Sequence, residues 1–284
     1  MKKLILLICL LGLIVQADAQ EAFTLKMADC YEREIGSEPH RYEVTLKAGD
    51  YLCVVVEQGS VDLSLDAEGR IVDGFSYGPE VLRYVATKET KYSFEVRAVG
   101  QGKYTLQVEA LRPVIETDKE LIEADELTAE VERLYDARKY KEALQIAERV
   151  LETRERILGE HYQIAYSLED IAAIKMALLE YSAAEPMLLK ALALREKFQG
   201  ADHPSVGKTL SSLGRLSRLR GNYKGAEDYY SRALGIWRRT LGSEHIETAK
   251  LMGNLAMIYR MRGDYESAER DIREALKVLE KRLG

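Results

Sequence analysis

Gly263-Asp264-Tyr265-Glu266-Ser267-Ala268-Glu269 is the clearest copy of a short pattern that occurs four times in this chain. The earlier copies read Gly221-Asn222-Tyr223-Lys224-Gly225-Ala226-Glu227, Glu180-Tyr181-Ser182-Ala183-Ala184-Glu185 and Lys139-Tyr140-Lys141-Glu142-Ala143. Their tyrosines are 41, 42 and 42 residues apart. Between the copies, apolar residues recur every three or four positions, which is typical of amphipathic helices. A fixed period of this length predicts a solenoid of stacked helix pairs.

A second marker keeps the same period and falls between the predicted helix pairs. It reads Leu158-Gly159-Glu160-His161, Gly200-Ala201-Asp202-His203-Pro204 and Gly242-Ser243-Glu244-His245. A shared metal site for the three histidines is excluded, because neighbouring helices lie roughly 8–10 Å apart and nitrogens that share a zinc ion lie about 3–4 Å apart. The histidines are therefore predicted to be structural loop residues. Gly200 and Gly242 are predicted to end helices in the left-handed conformation.

The repeated segments resemble the tetratricopeptide repeat in its kinesin-light-chain form, whose period is the 42 residues seen here. The last repeat shows the pattern best, at Met252, Leu255, Ala256, Tyr259, Gly263, Tyr265, Ala268, Ile272, Ala275 and Leu276. The resemblance implies four helix pairs over residues 124–284. It also implies a non-catalytic protein, without cofactor or metal, that binds a peptide or protein partner in the concave groove formed by the first helices of the pairs.

The same resemblance assigns the residues that line this groove. They are Tyr166, Glu169 and Asp170 in the second repeat, Lys208, Ser212, Arg215 and Arg218 in the third, and Lys250, Asn254, Met257 and Arg260 in the fourth. Residues 124–204 contain 11 basic and 16 acidic residues, a net charge of −5, whereas residues 205–284 contain 16 basic and 10 acidic residues, a net charge of +6. The basic end is expected to suit an acidic peptide. A merely solvated charged face is the alternative.

The segment before the repeats has a different pattern. Apolar and polar residues alternate in short runs, for example at Tyr42, Val44 and Leu46, and this alternation is typical of half-buried strands. Because glycine-containing turns separate the runs, residues 20–112 are predicted to form a β-sandwich. Residues 113–123 are predicted to be a linker that includes the start of the first helix.

Thr117 and Glu120 mark where the helical half is expected to begin. Their spacing is that of a capping box, in which the two side chains satisfy backbone N–H groups at a helix start. No proline follows until Pro186, so the pattern favours uninterrupted helix in between.

The alternating half resembles the pre-peptidase C-terminal domain, a jelly-roll-like β-sandwich. The resemblance rests on Ala48-Gly49-Asp50-Tyr51 and Gly102-Lys103-Tyr104-Thr105-Leu106. Such a domain often precedes these repeats in secreted bacterial proteins that end in a caspase-like CHAT protease domain. One alternative function is therefore an N-terminal regulatory or substrate-recruiting fragment of a CHAT-type protease. A further alternative is envelope or carbohydrate binding through the β-sandwich, with Tyr51, Tyr77 and Tyr84 as candidate platforms.

Cys30 and Cys53 are the two cysteines that follow the first twenty residues. One hypothesis is a disulfide between them, which an oxidising compartment would permit. The other is an inert thiol, because Cys53 stands in an alternating strand-like run. No nucleophilic role is predicted, since His40 is the one histidine near them in the sequence.

The first nineteen residues have the organisation of a secretory signal peptide. Lys2 and Lys3 precede an apolar run from Leu4 to Val15, and Ala17-Asp18-Ala19 fits the small-x-small rule before a cleavage site. The run is about a dozen residues long, shorter than the roughly 20 that a membrane-spanning helix needs. We therefore expect cleavage before Gln20 and a secreted or periplasmic protein with no transmembrane segment after cleavage. An uncleaved anchor is the alternative.

The charge composition argues against one class of partner. The chain has 41 basic and 47 acidic residues, a net charge of −6 with a pI near 5.5, which argues against a nucleic-acid partner. The predicted function is a non-catalytic, extracytoplasmic protein–protein interaction adaptor built from a β-sandwich and an all-α repeat solenoid. In the last helix, Ile272, Leu276 and Leu279 recur at packing spacing. An uncovered apolar stripe there predicts either end-to-end self-association through that helix or a downstream segment that covers it.

Overall fold

A computed structural model describes residues 22–36, 38–58, 62–67, 70–72, 80–99 and 101–283. The chain divides into two compact units, of which the first ends at Lys119 and the second begins at Glu120. The expected signal peptide, its cleavage site before Gln20 and the candidate platform Tyr77 lie outside the described residues.

The first unit consists of two β-sheets. Its described strands are β1 (Phe23–Thr24), β2 (Cys30–Ile35), β3 (His40–Leu46), β4 (Asp50–Gln58), β5 (Asp62–Ala67), β6 (Arg70–Val72), β7 (Glu80–Val85), β8 (Thr90–Val99) and β9 (Gly102–Pro113). One sheet has the strand order β1-β3-β8-β5-β6 and the other has the order β2-β9-β4-β7. The strand β1 runs parallel to β3, and the other pairings are antiparallel. The predicted β-sandwich fold is confirmed.

The alternation along the strands determines which side chains fill this unit. Tyr42, Val44 and Leu46 of β3 are all buried, and they share one core with Leu52 and Val54 of the opposite sheet. Each such side chain stabilises the fold by about 1.5–3 kcal/mol relative to an exposed position. Period-two alternation therefore identified the inner face of the sandwich correctly.

The second unit is made of helices joined by short loops. In the described residues they are α1 (Glu116–Asp136), α2 (Tyr140–Leu158), α3 (Gln163–Ala177), α4 (Tyr181–Phe198), α5 (Pro204–Leu219), α6 (Tyr223–Thr240), α7 (Ile246–Met261) and α8 (Tyr265–Leu283). Successive helices form the pairs α1/α2, α3/α4, α5/α6 and α7/α8, which confirms the helical solenoid. Among the described residues, no helix combines the length and apolar composition needed to cross a membrane.

Small residues allow the paired helices to approach closely. Gly207 and Gly214 of α5 lie against the side chains of α6: a Cβ atom at Gly207 would be 2.3 Å from Nε1 of Trp237, and one at Gly214 would be 2.6 Å from the ring of Tyr230. Ala226, in the repeated motif, is fully buried. A larger side chain at any of these positions would overpack the helix crossing.

The first helix begins slightly earlier than the capping box at Thr117 and Glu120 predicts. Helix α1 starts at Glu116, and the carboxylate of Asp118 accepts a hydrogen bond from the backbone N–H of Ile115 at 2.9 Å. The same carboxylate accepts two hydrogen bonds from the guanidinium of Arg112, at 2.7 and 2.9 Å. A charged acceptor held by Arg112 therefore caps this helix start.

The proposed disulfide between Cys30 and Cys53 is not present. Cys30 lies on β2 and Cys53 on β4, and β9 runs between these two strands. Neighbouring strands are about 4.8 Å apart, so two strand spacings exceed the Cα separation that a disulfide tolerates. The sequence could not predict this, because strand order is not encoded in the alternation.

Candidate partner-binding face

The first helices of the four pairs, α1, α3, α5 and α7, form what we term the A-helix face, and the second helices form the B-helix face. The predicted groove residues on these helices fall into three groups: exposed (Arg215, Lys250, Asn254, Met257 and Arg260), half-buried (Asp170, Lys208, Ser212 and Arg218) and buried (Tyr166 and Glu169). The surface part of the prediction is thus concentrated in the third and fourth pairs.

Tyr166 and Glu169 belong to the interior, which differs from the prediction that they line the groove. Glu169 accepts hydrogen bonds from Nη2 of Arg195 at 2.8 Å and from the hydroxyl of Thr209 at 2.7 Å. Arg195 is fully buried, and its guanidinium lies 4.6 Å from the centre of the Tyr166 ring. A buried ion pair between α3 and α4, rather than a ligand contact, explains these two residues.

Arg195 is one member of a periodic set that sequence reasoning missed. Arg154 takes the same place one repeat earlier, where it donates to Asp125 and to Ser167 at 2.9 and 2.8 Å. Trp237 takes it one repeat later, where its indole N–H donates to the carbonyl oxygen of Pro204 at 2.9 Å. The spacings of 41 and 42 residues between Arg154, Arg195 and Trp237 match those of the tyrosines. That shared spacing was the available signal.

The basic end of the A-helix face contains two exposed guanidinium groups that other side chains do not neutralise. Neither Arg215 nor Arg260 forms an ion pair or a side-chain hydrogen bond with another described residue. Lys250 is exposed but pairs with Glu247 at 2.5 Å, and Arg218 is half-buried and opposes the rise that burial causes in the pKa of Tyr230. Arg215 and Arg260 are therefore the groups best able to bind an external anion.

The B-helix face contrasts with this arrangement. Here a carboxylate in the loop after one B helix forms an ion pair with a cation near the end of the next B helix. The pairs are Glu160–Lys197, Asp202–Arg239 and Glu244–Lys281. All three pairs have the same sequence separation of 37 residues. Carboxylates of neighbouring repeats therefore compensate these three cations of the B-helix face.

The acidic end of the A-helix face contains a cavity. It has a volume of about 310 Å³ and is lined by Val131, Glu132, Tyr135, Asp136, Asp170, Ala173 and Ile174. Burial raises the pKa of Asp170 to about 7; Lys208 and Arg154 oppose the increase, and Glu169 and Glu132 reinforce it. This cavity therefore combines apolar walls with a carboxyl group that is costly to ionise.

The loop histidines have the structural role predicted for them. Nδ1 of His203 accepts the backbone N–H of Ser205 at 3.2 Å, and Nδ1 of His245 accepts that of Glu247 at the same distance. Both histidines therefore occupy helix N-cap positions. Within the described part of the chain, no cluster of potential ligands suits a metal ion.

The two described candidate tyrosines of the β unit, Tyr51 and Tyr84, are poorly placed to stack on a carbohydrate. Tyr51 is 3% exposed, and burial raises its pKa above the ordinary range of a phenol. Tyr84 is half-buried, and its ring stacks on that of Tyr92 with centres 4.0 Å apart. These two rings pack within the sandwich, so a carbohydrate could not stack on Tyr51.

Comparison with known families matches the helical unit. A profile of the tetratricopeptide repeat matches residues 163–234 and 205–281, and a second profile of the same repeat matches residues 131–161. These matches indicate no catalytic family. No relative with a curated function matches the chain.

Several crystal structures resemble part of the chain in fold. BtubC (BKLC) from P. vanneervenii is 22% identical with a TM-score of 0.50, and the match covers 54% of this chain and 61% of that one. A putative kinesin light chain with nearly identical TPR-like repeats from Podosopora anserina is 21% identical with a TM-score of 0.51, covering 57% and 77%. A Rap protein complexed with competence and sporulation factor is 18% identical with a TM-score of 0.52, covering 57% and 44%. The matches span less than two thirds of the first and third structures, and at these identities they show a shared fold.

Proposed function

The C-terminal half of this chain, residues 131–281, belongs to the tetratricopeptide-repeat family, and on that premise we propose that the chain is a non-catalytic adaptor that binds a peptide or protein partner along the A-helix face. The fold is typical of protein-interaction adaptors. The observation that supports this face is that Arg215 and Arg260 on adjacent A helices are both exposed and have no ion-pair partner among the described residues. By contrast, the B-helix cations Lys197 and Arg239 each meet a carboxylate of a neighbouring repeat.

The partner we propose is acidic near one end. Two exposed guanidinium groups on adjacent A helices can form charge-assisted, bidentate hydrogen bonds to carboxylates. Met257, exposed on the same helix as Arg260, provides an adaptable apolar contact. An acidic peptide with an apolar side chain matches this combination.

Selection from a random peptide library tests the proposal. Peptides enriched by the wild-type protein should contain carboxylates, and the Arg215→Glu/Arg260→Glu variant should bind a synthesised member at least about tenfold more weakly, a loss of about 1.4 kcal/mol. The matched control is Lys141→Glu/Arg149→Glu, which makes the same charge change at exposed residues of α2. Equal affinities of the two variants, with intact circular dichroism spectra, would contradict the proposed face.

We also propose that the protein acts outside the cytoplasm after signal-peptide cleavage. The supporting observations are Lys2 and Lys3, the apolar run from Leu4 to Val15, and Ala17-Asp18-Ala19. Intact-mass analysis of the protein from its native compartment should give an N-terminus at Gln20. A soluble cytoplasmic protein that retains Met1 would contradict this proposal.

A second candidate function follows from the likeness of the β unit to the pre-peptidase C-terminal domain. In this alternative, the chain is a regulatory or substrate-recruiting part of a CHAT-type protease. The DNA that follows the codon for Gly284 distinguishes the two. A reading frame that continues into a domain with a His/Cys dyad would favour the protease, and a stop codon would favour the adaptor.

Self-association through α8 is a further part of the proposal. Ile272 and Leu276 are one helical turn apart and are 42% and 50% exposed, respectively. Exposed apolar side chains at this spacing often mark an interface. Sedimentation equilibrium should show a concentration-dependent increase in mass that Leu276→Glu abolishes, and a wild-type protein that remains monomeric would reject this part.

A further inference from the structure

The cavity at the acidic end of the A-helix face lies between two successive A helices. Val131, Glu132, Tyr135 and Asp136 belong to α1, whereas Asp170, Ala173 and Ile174 belong to α3. Its volume of about 310 Å³ is at the lower limit of ligand pockets, which are about 300–1,000 Å³. The space therefore suits one extended side chain rather than a larger group.

The apolar and the charged residues of this cavity lie in different parts of it. Val131 and Ile174 are buried apolar residues of the helical core that line the floor of the cavity, and the half-buried Tyr135 and Ala173 extend this apolar wall. Glu132 and Asp136 are exposed at the rim. An aliphatic stem could lie against the wall while a charged group at its end contacts the carboxylates.

Asp170 is the carboxyl group in this cavity that has no side-chain partner among the described residues. The residue keeps partial solvent exposure, but its carboxyl lies deep enough among protein atoms for burial to raise its pKa. It has neither a hydrogen bond nor an ion pair with another described side chain. This contrasts with Glu169, the preceding residue, whose two oxygens are bonded by Arg195 and Thr209. A carboxylate held among protein atoms without a paired cation is costly to ionise, and a cation brought by a ligand would offset that cost.

Other charged groups face Asp170 from each neighbouring helix, and they do not replace a paired cation. Lys208 on α5 and Arg154 on α2 favour the ionised carboxylate, whereas Glu132 on α1 and Glu169 on α3 oppose it. Arg154 already donates to Asp125 and to other side chains. The net result is a carboxyl group whose ionisation an incoming cation would favour.

We propose that this cavity binds a single cationic side chain, an arginine or a lysine, of the partner peptide. The apolar wall takes the aliphatic stem, and Asp170, with Asp136 at the rim, takes the charged end. The inference rests on the proposed function and makes it more specific: the partner has a cation where it meets α1 and α3, and carboxylates where it meets α5 and α7. This polarity matches the net charges of −5 over residues 124–204 and +6 over residues 205–284.

The test uses a pair of small probes of nearly equal shape, N-butylguanidinium, which is a cation, and N-butylurea, which is neutral. Each is titrated into the full chain with labelled isoleucine and valine methyl groups, and binding is followed by NMR. We expect saturable shifts of the Ile174 and Val131 methyl signals with butylguanidinium, at an affinity on the order of millimolar for so small a ligand. Butylurea should cause much smaller shifts.

Two variants assign the binding to Asp170. Asp170→Asn should weaken butylguanidinium binding at least about fivefold, whereas Asp228→Asn, the same change at an exposed residue of α6, should have no effect. In the wild type the affinity should increase between pH 6 and pH 8 as Asp170 ionises, and Asp170→Asn should remove that increase. The Arg215→Glu/Arg260→Glu variant should bind the probe like the wild type, so the cavity is tested independently of the acidic-peptide site.

Three outcomes would overturn the proposal. They are equal binding of the neutral and cationic probes, unchanged binding in Asp170→Asn, and the absence of saturable shifts at Ile174 and Val131. Because no partner peptide is used, each of these would reject the cationic subsite while leaving the adaptor function standing. A folded Asp170→Asn protein is verified by its circular dichroism spectrum and by unshifted methyl signals away from the cavity.

Discussion

The A-helix face and the B-helix face of the solenoid use the same charged residue types in different ways. On the B-helix face, three cations are compensated between repeats at a constant sequence separation, in the pairs Glu160–Lys197, Asp202–Arg239 and Glu244–Lys281. On the A-helix face, Arg215 and Arg260 have no such partner among the described residues, and neither does Asp170. A charged side chain is therefore available to a ligand only when no other side chain already pairs with it, and the net charge of a region does not show this.

The interior between these faces should respond most strongly to mutation. Arg195→Ala removes the donor from the buried carboxylate of Glu169, and breaking one side of a buried ion pair costs about 3–5 kcal/mol. For a unit of this size, each kcal/mol lowers the melting temperature by roughly 2–4 °C. Thermal unfolding followed by circular dichroism should therefore show a decrease of about 10 °C.

The control for this prediction removes both charges. In Arg195→Ala/Glu169→Gln the uncompensated carboxylate is gone, so part of the lost stability should return. Arg239→Ala, which breaks an exposed B-helix pair, should cost at most about 1 kcal/mol. If the double variant is no more stable than Arg195→Ala, the loss comes from packing rather than from the unpaired charge.

Two helical glycines, one packed in the interior and one on the open A-helix face, should respond to mutation in opposite ways. A Cβ atom at Gly207 would collide with Trp237, whereas one at Gly253 would meet no atom within 4 Å. Gly207→Ala should destabilise the protein by about 1–3 kcal/mol, and Gly253→Ala should stabilise it by about 0.5–1 kcal/mol, because glycine is a poor helix former. Chemical denaturation measures both, and changes of the same sign would contradict the assignment of these two positions.

Most of the fold could be predicted from the sequence, because each of its two periodic patterns corresponds to a physical repeat: the alternation of faces along a strand and the length of one helix pair. Alternation in β3 places Tyr42 and Leu46 in the core, and the tyrosine spacing locates the helix pairs. Strand order is not accessible in this way: the separation of Cys30 from Cys53 by β9 depends on contacts distant in sequence. The helix start at Glu116 differs from the prediction for a local reason, because the capping side chain is Asp118, which accepts hydrogen bonds from Ile115 and Arg112, rather than Thr117.

The candidate site was only partly predictable. Family spacing identified Arg215, Lys250 and Arg260 as exposed residues of the A helices. It could not distinguish Glu169 from Asp170, which are adjacent in sequence, because the difference depends on Arg195, 26 residues away, reaching only the first of them. Pairing between distant side chains separates structural from available charges, and a single sequence does not encode it directly.

Asp170 provides a pH-dependent test of this distinction. Its pKa in the folded protein is raised from 3.8 to about 7, so the folded state holds a proton that the unfolded state releases between these values. The contribution of Asp170 to the stability of the wild type therefore falls as pH rises from about 4 to about 7. Asp170→Asn should be more stable than the wild type at pH 8 and equal to it below pH 4, because the amide carries no charge at either pH. Thermal unfolding at both pH values measures this, and a variant that is less stable at pH 8 would show that the carboxylate has a donor.

The smallest effect is expected on the B-helix face, where the three repeated ion pairs are exposed to solvent. The variant Glu160→Gln/Asp202→Asn/Glu244→Gln removes one partner from each pair while keeping the shape of the side chains. Exposed pairs gain little because water and salt screen them, so the triple variant should lose less stability than Arg195→Ala alone. Its melting temperature should also approach that of the wild type as the salt concentration rises to about 1 M, where the screening length is about 3 Å. If the triple variant instead unfolds at a lower temperature than Arg195→Ala at all salt concentrations, the B-helix pairs are structural, and the contrast between compensated and available charge no longer distinguishes the two faces.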